Sequence, residues 1–316
     1  MITNILVWLV LVVIFILFAW LALRAWRSPR GYIKWPGVVL AGLLSLVFLA
    51  VCAVGLRGLV DLYWPKGSTV QLTVNGTPEQ VERGKYLANA FCTSCHSQSG
   101  DLPLTGGADL AKDVPLPVGS IIPSNLTPAG PLKNWTDGEI FRALRQGVNN
   151  QGKMLPSMST LVNVRYLSDE DLKAVIAYLR SQPAVDHPTQ DPPTQFNFLG
   201  VLVTGMGIVP PLPEVTGEIV APLKEATAQY GKYVISFQDC HSCHGSDLNG
   251  GTNQLSPNGP TLRMVKGWTQ AQFITAMRTG VDPNGHKLNN VMPWKYVGRL
   301  DDTDLAALYL YITSRE

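Results

Sequence analysis

Two stretches of this 316-residue chain set thiols and imidazoles side by side: FCTSCH at residues 91–96 and DCHSCH at residues 239–244. Both read C-x-x-C-H, as Cys92, Cys95 and His96 and as Cys240, Cys243 and His244. Thiols at this spacing serve a zinc site, a disulfide clip, a redox dithiol or the attachment of haem. A structural zinc site joins one C-x-x-C to a second ligand pair, usually about 12 to 20 residues on, and nothing suitable follows either motif. A thioredoxin-like dithiol belongs to a βαβ context, which is missing. Five cysteines, an odd number, leave no full disulfide framework. Haem attachment accounts for the spacing. Two thiols on one helical turn each add to a vinyl group of one porphyrin, and the next residue turns its imidazole to the iron. The sequence therefore predicts two covalently attached haem c groups. His241 falls in the variable slot of its motif and is expected at the surface.

The motifs sit inside a longer repeat. RGKYLANAFCTSCH parallels YGKYVISFQDCHSCH, and NWTDGEIFRALRQGVNNQG parallels GWTQAQFITAMRTGVDPNG. The second pair matches Trp135 with Trp268, Ala143 with Ala276, Arg145 with Arg278 and Gly147 with Gly280. LSDEDLKAVIAYLRS and LDDTDLAALYLYITS then match Asp169 with Asp302 and Tyr178 with Tyr311. Each half reads as a compact helical unit whose last helix opens on an acidic or hydroxyl residue, as a cap should.

A haem iron held by His and Met has a raised potential and no open position, which suits electron transfer. Met292 lies 24 residues after Trp268 and Met158 lies 23 after Trp135, whereas Met154 lies 19 after it and falls opposite Lys287. The predicted metal ligands are thus His96 with Met158 and His244 with Met292. Met154, Met206 and Met264 are read as packing residues. His187 and His286 are weaker alternatives to a methionine. Arg145 and Arg278 are expected either at haem propionates or on a solvated helix face. Trp135 and Trp268 are expected to bond a propionate through the indole or to pack on the haem.

Apolar residues make up 46% of the chain and charged residues 15%, with a formal net charge of +2, which argues against a nucleic-acid partner. Residues 5–23 are apolar throughout and reach about 28 Å as a helix, one hydrocarbon core. A second apolar run covers residues 37–56, and Arg24, Arg27, Arg30 and Lys34 lie between the two. The positive-inside rule puts that connector in the cytoplasm and everything after about Trp64 outside it. The first run lacks a basic n-region and is too long for a cleaved signal peptide. Cys52 reads as a small apolar residue within the second span.

The fold class predicted is all-α: a transmembrane hairpin at 1–64, a first helical domain at 78–183, a proline-rich linker at 184–226 and a second helical domain at 227–316. The linker carries FNFLGVLVTGMGIVPPLP, too short and glycine-rich to span a membrane, and is expected to drape over the first unit, with a partner-docking strip as the sharper alternative.

The first unit, through LPLTGGADL, PVGSIIPSNLTP, NWTDGEIFRALRQGV and LPSM, resembles the multi-haem cytochrome c subunits of membrane-bound alcohol, aldehyde and gluconate dehydrogenases. The second resembles small soluble cytochromes c, and its NGPTL implies that the Pro260 carbonyl accepts from the proximal imidazole of His244. The resemblance covers roughly residues 78–316. Those subunits usually carry three haems and lack a two-helix N-terminal anchor. It implies two cytochrome c-type domains on the periplasmic side of the cell membrane. They would pass single electrons between a donor and an acceptor, as part of a respiratory or dehydrogenase complex. Its partners are then a redox protein or membrane oxidoreductase and the lipid bilayer, with no small-molecule substrate and no catalytic residue. The alternative is a di-haem cytochrome c peroxidase, which needs one accessible iron and nearby acid–base groups. A haem-based sensor is disfavoured because no cytoplasmic output domain is visible.

The charge pattern makes a direct prediction about topology. Protease added to intact spheroplasts is expected to remove both haem-bearing units. Haems that survive until the membrane is permeabilised would show the inverted orientation.

Overall fold

The structure is a computed structural model that describes residues 1–67, 70–186, 194–251 and 257–315. Helices α1 (Ile2–Trp26) and α2 (Gly31–Tyr63) are both long and apolar enough to cross a membrane. They run antiparallel: Trp8 Nε1 donates to the Cys52 carbonyl at 2.9 Å, Phe18 stacks on Phe48, and Trp26 meets Trp35 edge-on. The turn takes only residues 27–30, so Arg24 and Lys34 lie on helix ends, above the rings of Trp20 and Trp26. Aromatic rings with basic neighbours are the usual furnishing of a membrane boundary.

The first unit contains α3 (Pro78–Phe91), α4 (Thr93–His96), β1 (Gly119–Ile121), α5 (Asp137–Gln146), α6 (Pro156–Thr160) and α7 (Asp169–Ser181). The linker holds β2 (Thr194–Phe196) and α8 (Phe198–Gly205). The second unit repeats the first as α9 (Ala228–Phe237), α10 (Cys240–His244), α11 (Gln270–Thr279), α12 (Trp294–Val297) and α13 (Asp302–Ser314). Local chemistry sets the boundaries. Thr77, Thr136 and Thr269 each close a capping box with the Gln or Glu three residues on. Ser168 and Asp301 cap the final helices through their side chains.

In each unit the first helix crosses the last at backbone contact. A Cβ on Gly84 would sit 1.8 Å from the Ala174 carbonyl oxygen, and one on Gly231 would sit 1.9 Å from that of Ala307. Only glycine permits this approach, which draws α3 onto α7 and α9 onto α13 around cores of Leu87, Leu172 and Ile176 or Val234, Leu305 and Leu308. Among the described residues the fold is all-α apart from isolated bridges and one antiparallel strand pair, in which Ser120 faces Gln195.

The expected course of the linker is met at its two flanks, where β2 pairs with β1 and the Leu212 N–H bonds the Ser159 carbonyl at 2.8 Å, while α8 between them packs chiefly on α2. The physical reason is small residues on both helices: a Cβ on Gly58 would lie 2.0 Å from the Val201 carbonyl oxygen, and one on Gly205 would lie 2.0 Å from that of Val54. The hairpin and α8 are thus packed together.

The two units meet through a reciprocal exchange. Tyr86 of α3 donates to Asp304 of α13 and accepts from the Asp301 N–H at 2.9 Å. Tyr233 of α9 donates to Asp171 of α7 at 2.6 Å and accepts from the Ser168 N–H at 2.8 Å. Tyr86 and Tyr233 hold equivalent places in the repeat, as do Asp171 and Asp304. Each unit therefore lends its tyrosine to the other's cap. Arg83 adds a bidentate pair to Asp171 at 2.8 and 2.9 Å, and Lys224 pairs with Asp301 and Asp304. Phe91 and Phe237 meet edge-to-face at 5.1 Å in the same interface.

Burial pushes both tyrosine hydroxyls upward, and the charges of Asp304 on Tyr86 and Asp171 on Tyr233 push further. Below about pH 10 the folded and unfolded chains both keep these protons; above it the unfolded chain releases them first, so stability falls as pH climbs toward the raised folded values. Removing one donor to a carboxylate costs about 1.5–3 kcal/mol. Tyr233→Phe is expected to lose stability by that amount in denaturant unfolding at neutral pH. It is also expected to show a shallower alkaline decline than the parent chain, and an unchanged decline would show that the tyrosines do not carry it.

Candidate haem-attachment sites

In the first unit α3 runs straight into the motif. Cys92 keeps helical angles, and the His96 N–H bonds the Cys92 carbonyl at 2.8 Å, which puts both thiols and the imidazole on one short turn. The second motif is preceded by one extra residue. The chain absorbs it at Asp239, whose φ of 51° breaks α9 from α10, a conformation that Asp tolerates better than most residues. Asp239 then accepts from Ser242 Oγ at 2.8 Å and, across the interface, from Asn163 Nδ2 at 2.6 Å.

His96 Nδ1 lies 2.9 Å from the Ser124 carbonyl oxygen and His244 Nδ1 lies 2.7 Å from that of Pro260. A carbonyl only accepts, so each Nδ1 carries the proton and each Nε2 keeps its lone pair for a metal. Burial also pulls the His96 pKa below its ordinary value, favouring the neutral, ligating form. The loops that return these carbonyls close alike. The N–H groups of Gly106 and Gly250 bond the carbonyls of His96 and His244, and those of Leu126 and Leu262 bond Leu104 and Leu248. Pro260 is the acceptor that NGPTL implied. Ser124 was not foreseen, although PSNLTP occupies the matching place in the first unit.

No disulfide joins any of the four motif cysteines. Burial pushes Cys92 and Cys240 up to about 12 and raises Cys95 and Cys243 as well. A redox dithiol works through a lowered thiol pKa, so that chemistry is disfavoured. Among the described residues no group of three or more His, Cys, Asp or Glu gathers as a zinc site would require. Paired thiols beside an imidazole with a free Nε2 fit covalent haem c.

For the sixth ligands, the hairpins after α5 and α11 set the register. Val148 bridges Met154 in one, and Val281 bridges Lys287 in the other. The Leu155 and Leu288 N–H groups then bond Gly147 and Gly280 at 2.7 and 2.8 Å. Met154 thus stands where the second unit has a lysine. Met158 and Met292 follow on the next turn, partly buried against the cores that also hold Cys92 and Cys240. His286 is exposed and bonds Asp282 at 3.2 Å, while His187 lies outside the described residues. His241 is partly buried, its Nδ1 3.2 Å from the Gly245 carbonyl oxygen.

Arg145 and Arg278, expected at haem propionates or on a solvated helix face, are each engaged by neighbouring backbone and a carboxylate. Buried Arg145 donates to the carbonyls of Arg165 and Leu167 and to Asp169 at 2.6 Å, and the more exposed Arg278 donates to the Gly298 carbonyl and to Asp302 at 2.9 Å. Each guanidinium ties its helix to the start of the final helix, where carbonyls and a carboxylate converge. Trp135 and Trp268 are partly buried against the core, and the Trp268 carbonyl accepts from Tyr309. Sequence reasoning also missed Arg299 of the second unit. It donates to Asn89, Thr93 and Gly100 at 2.7 to 3.1 Å and to Asp101 at 2.8 Å, and so clasps the first motif from the other side of the interface.

The sequence profile of the cytochrome c family matches residues 81–183 and 228–316. The gluconate 2-dehydrogenase cytochrome c subunit of Pantoea cypripedii is 29% identical over 52% of this chain and 37% of its own length. The fructose dehydrogenase cytochrome subunit of Gluconobacter japonicus is 24% identical over 74% of this chain and 52% of its own. The cytochrome c subunit of the quinone alcohol dehydrogenase of Gluconobacter oxydans is 24% identical over 63% and 47%. The chain spans about half or less of the length of these curated relatives.

The register of the two hairpins separates the methionines experimentally. With haem bound, Met158→Ala is expected to let one reduced iron bind carbon monoxide, seen as a shifted Soret band, and Met154→Ala to leave both irons unreactive. The reverse pattern would give the first unit a shorter ligand loop.

Proposed function

Because this chain belongs to the cytochrome c family, we propose that it is a membrane-anchored di-haem c-type cytochrome. It carries single electrons between an extracytoplasmic donor and an acceptor, as the electron-transfer subunit of a respiratory or dehydrogenase complex. The observation that carries this reading is the duplicated site: two C-x-x-C-H turns, each with its histidine Nδ1 held by a backbone carbonyl. A haem c bound at each site supplies a one-electron iron couple. The chain's part is to hold it by Cys92 and Cys95 or by Cys240 and Cys243, and to ligate it through His96 or His244. Met158 and Met292 would close the remaining positions, which would leave no opening for peroxide or a small substrate.

The interface supports passage between the two sites. Phe91 adjoins Cys92, Phe237 lies three residues before Cys240, and the rings touch. Arg299 and Asn163 brace one motif each from the opposite unit, so the two attachment turns are fixed relative to one another. The cytochrome subunits among the relatives belong to gluconate, fructose and alcohol dehydrogenases, and a membrane oxidoreductase of that kind is the partner proposed. With a nearly neutral chain, docking relies on apolar contact and shared membrane residence more than on long-range steering.

The purified full-length chain is expected to hold two haems, to cycle reversibly with small redox mediators, and to consume no peroxide. Steady peroxide reduction by the half-reduced protein would replace the carrier with the peroxidase. A single haem per chain would remove the di-haem assignment.

A further inference from the structure

The linker helix α8 has the composition and position of a membrane element, and its depth can be worked out from α2. From Trp35 to Leu56 this helix carries no charge, and those residues rise about 33 Å, close to one hydrocarbon core. Lys34 bounds the stretch at one end. At the other, Arg57 is the first charge, and with Asp61 and Lys66 it forms a surface ion network. The contacts of α8 fall at that second boundary: Val201 against Gly58, Gly205 against Val54, and Phe198 against Gly55. The tip of α1 reaches the same level, where Asn4 Nδ2 donates to Tyr63 Oη at 3.2 Å and to the Phe196 carbonyl at 2.9 Å.

We propose that α8 is a third membrane element, a short helix that runs back along the outer end of α2 into the headgroup–acyl boundary of the outer face, with Leu199, Met206 and Ile208 in lipid. Its eight residues span about 12 Å, too little to cross a bilayer but enough to enter its outer boundary beside α2. Phe198–Gly205 contains no charged side chain, and Leu199, Met206 and Ile208 are exposed at 36%, 51% and 39%. Both ends make backbone bonds: the Gly200 N–H bonds Asn197 Oδ1 at 3.0 Å, and at the deeper end the Met206 and Gly207 N–H groups bond the Leu202 and Thr204 carbonyls at 2.8 and 2.9 Å. The surface is continuous with the lipid-facing sides of α1 and α2, which is why lipid rather than a protein is its occupant.

The consequence falls on the first unit alone. Asn197 Nδ2 donates to the Pro117 carbonyl at 2.6 Å, its N–H bonds Val118 at 3.0 Å, and the Lys66 N–H bonds Gly152 at 2.8 Å. The first unit is therefore strapped to the bilayer from both the hairpin and α8. In the electron-carrier reading the second unit is then the one left to meet an aqueous partner; the depth of α8 does not depend on that reading.

The test uses the full haem-loaded chain with Cys52→Ala, carrying one new cysteine at a time, Met206→Cys or Ile208→Cys, with Glu82→Cys as an aqueous control. Each is labelled with an environment-sensitive nitrobenzoxadiazole probe and reconstituted in phosphatidylcholine–phosphatidylglycerol vesicles. Labels at 206 and 208 are expected to emit to the blue of the control and to be quenched several-fold more by chain-spin-labelled lipid than the control. Quenching by aqueous iodide equal to that of the control, with no response to spin-labelled lipid, would overturn the proposal and leave the face to a protein partner. Haem content and reversible mediator reduction, read on the same samples, report the carrier assignment separately.

Discussion

The hydrogen bond from a histidine Nδ1 to a backbone carbonyl, made by His96 to Ser124 and by His244 to Pro260, decides which imidazole nitrogen is left for a metal. The acceptors lie 28 and 16 residues downstream, so each site exists only once a loop has returned to its own motif. Both loops begin and end on the same backbone bonds. The longer one spends its extra residues on β1, the strand to which the linker pairs through β2. The first unit's larger loop thus closes its own site and also provides the edge on which the linker is held.

The two units are bound by an exchange that duplication makes possible. A tyrosine on the first helix and an aspartate on the last recur in both copies, and each tyrosine reaches the aspartate of the other copy. Asp171 and Asp304 are almost fully buried, and such carboxylates are tolerable only when donors surround them. Arg83 completes that coordination at Asp171 with two hydrogen bonds, whereas at Asp304 Lys224 adds only an ion pair at 3.5 Å. The pairing therefore sets one orientation of the units, with Phe91 and Phe237 against each other and the attachment turns nearby.

Outside that exchange the chain is asymmetric. The hairpin, β2 and α8 all contact the first unit or one another, and among the described residues the strand pair and the Lys66–Gly152 bond have no counterpart in the second. The linker meets α2 as a capped helix whose glycine lies against the α2 backbone.

Much of this protein could be read from residues alone, because the governing spacings are local. The C-x-x-C-H turns, the capping boxes, the two apolar spans and the all-α class each depend on neighbours within one helix or one bilayer thickness. The repeat register carried the methionine choice further, placing Met154 opposite Lys287, and the hairpins at Val148 and Val281 have that same register. What sequence could not reach were partnerships between distant segments. Arg145 and Arg278 look like anion binders by type, yet folding brings carbonyls and Asp169 or Asp302 to them first. Tyr86 and Tyr233 lie on helices whose pattern reads as core, and nothing within either repeat says that each hydroxyl bonds into the other copy. The linker's apolar run likewise fits the first unit or the hairpin equally well by hydrophobicity. The close approach of Gly58 and Gly205 to opposing carbonyls decided for α2, because shape complementarity acts over single ångströms and exists only after the helices have met.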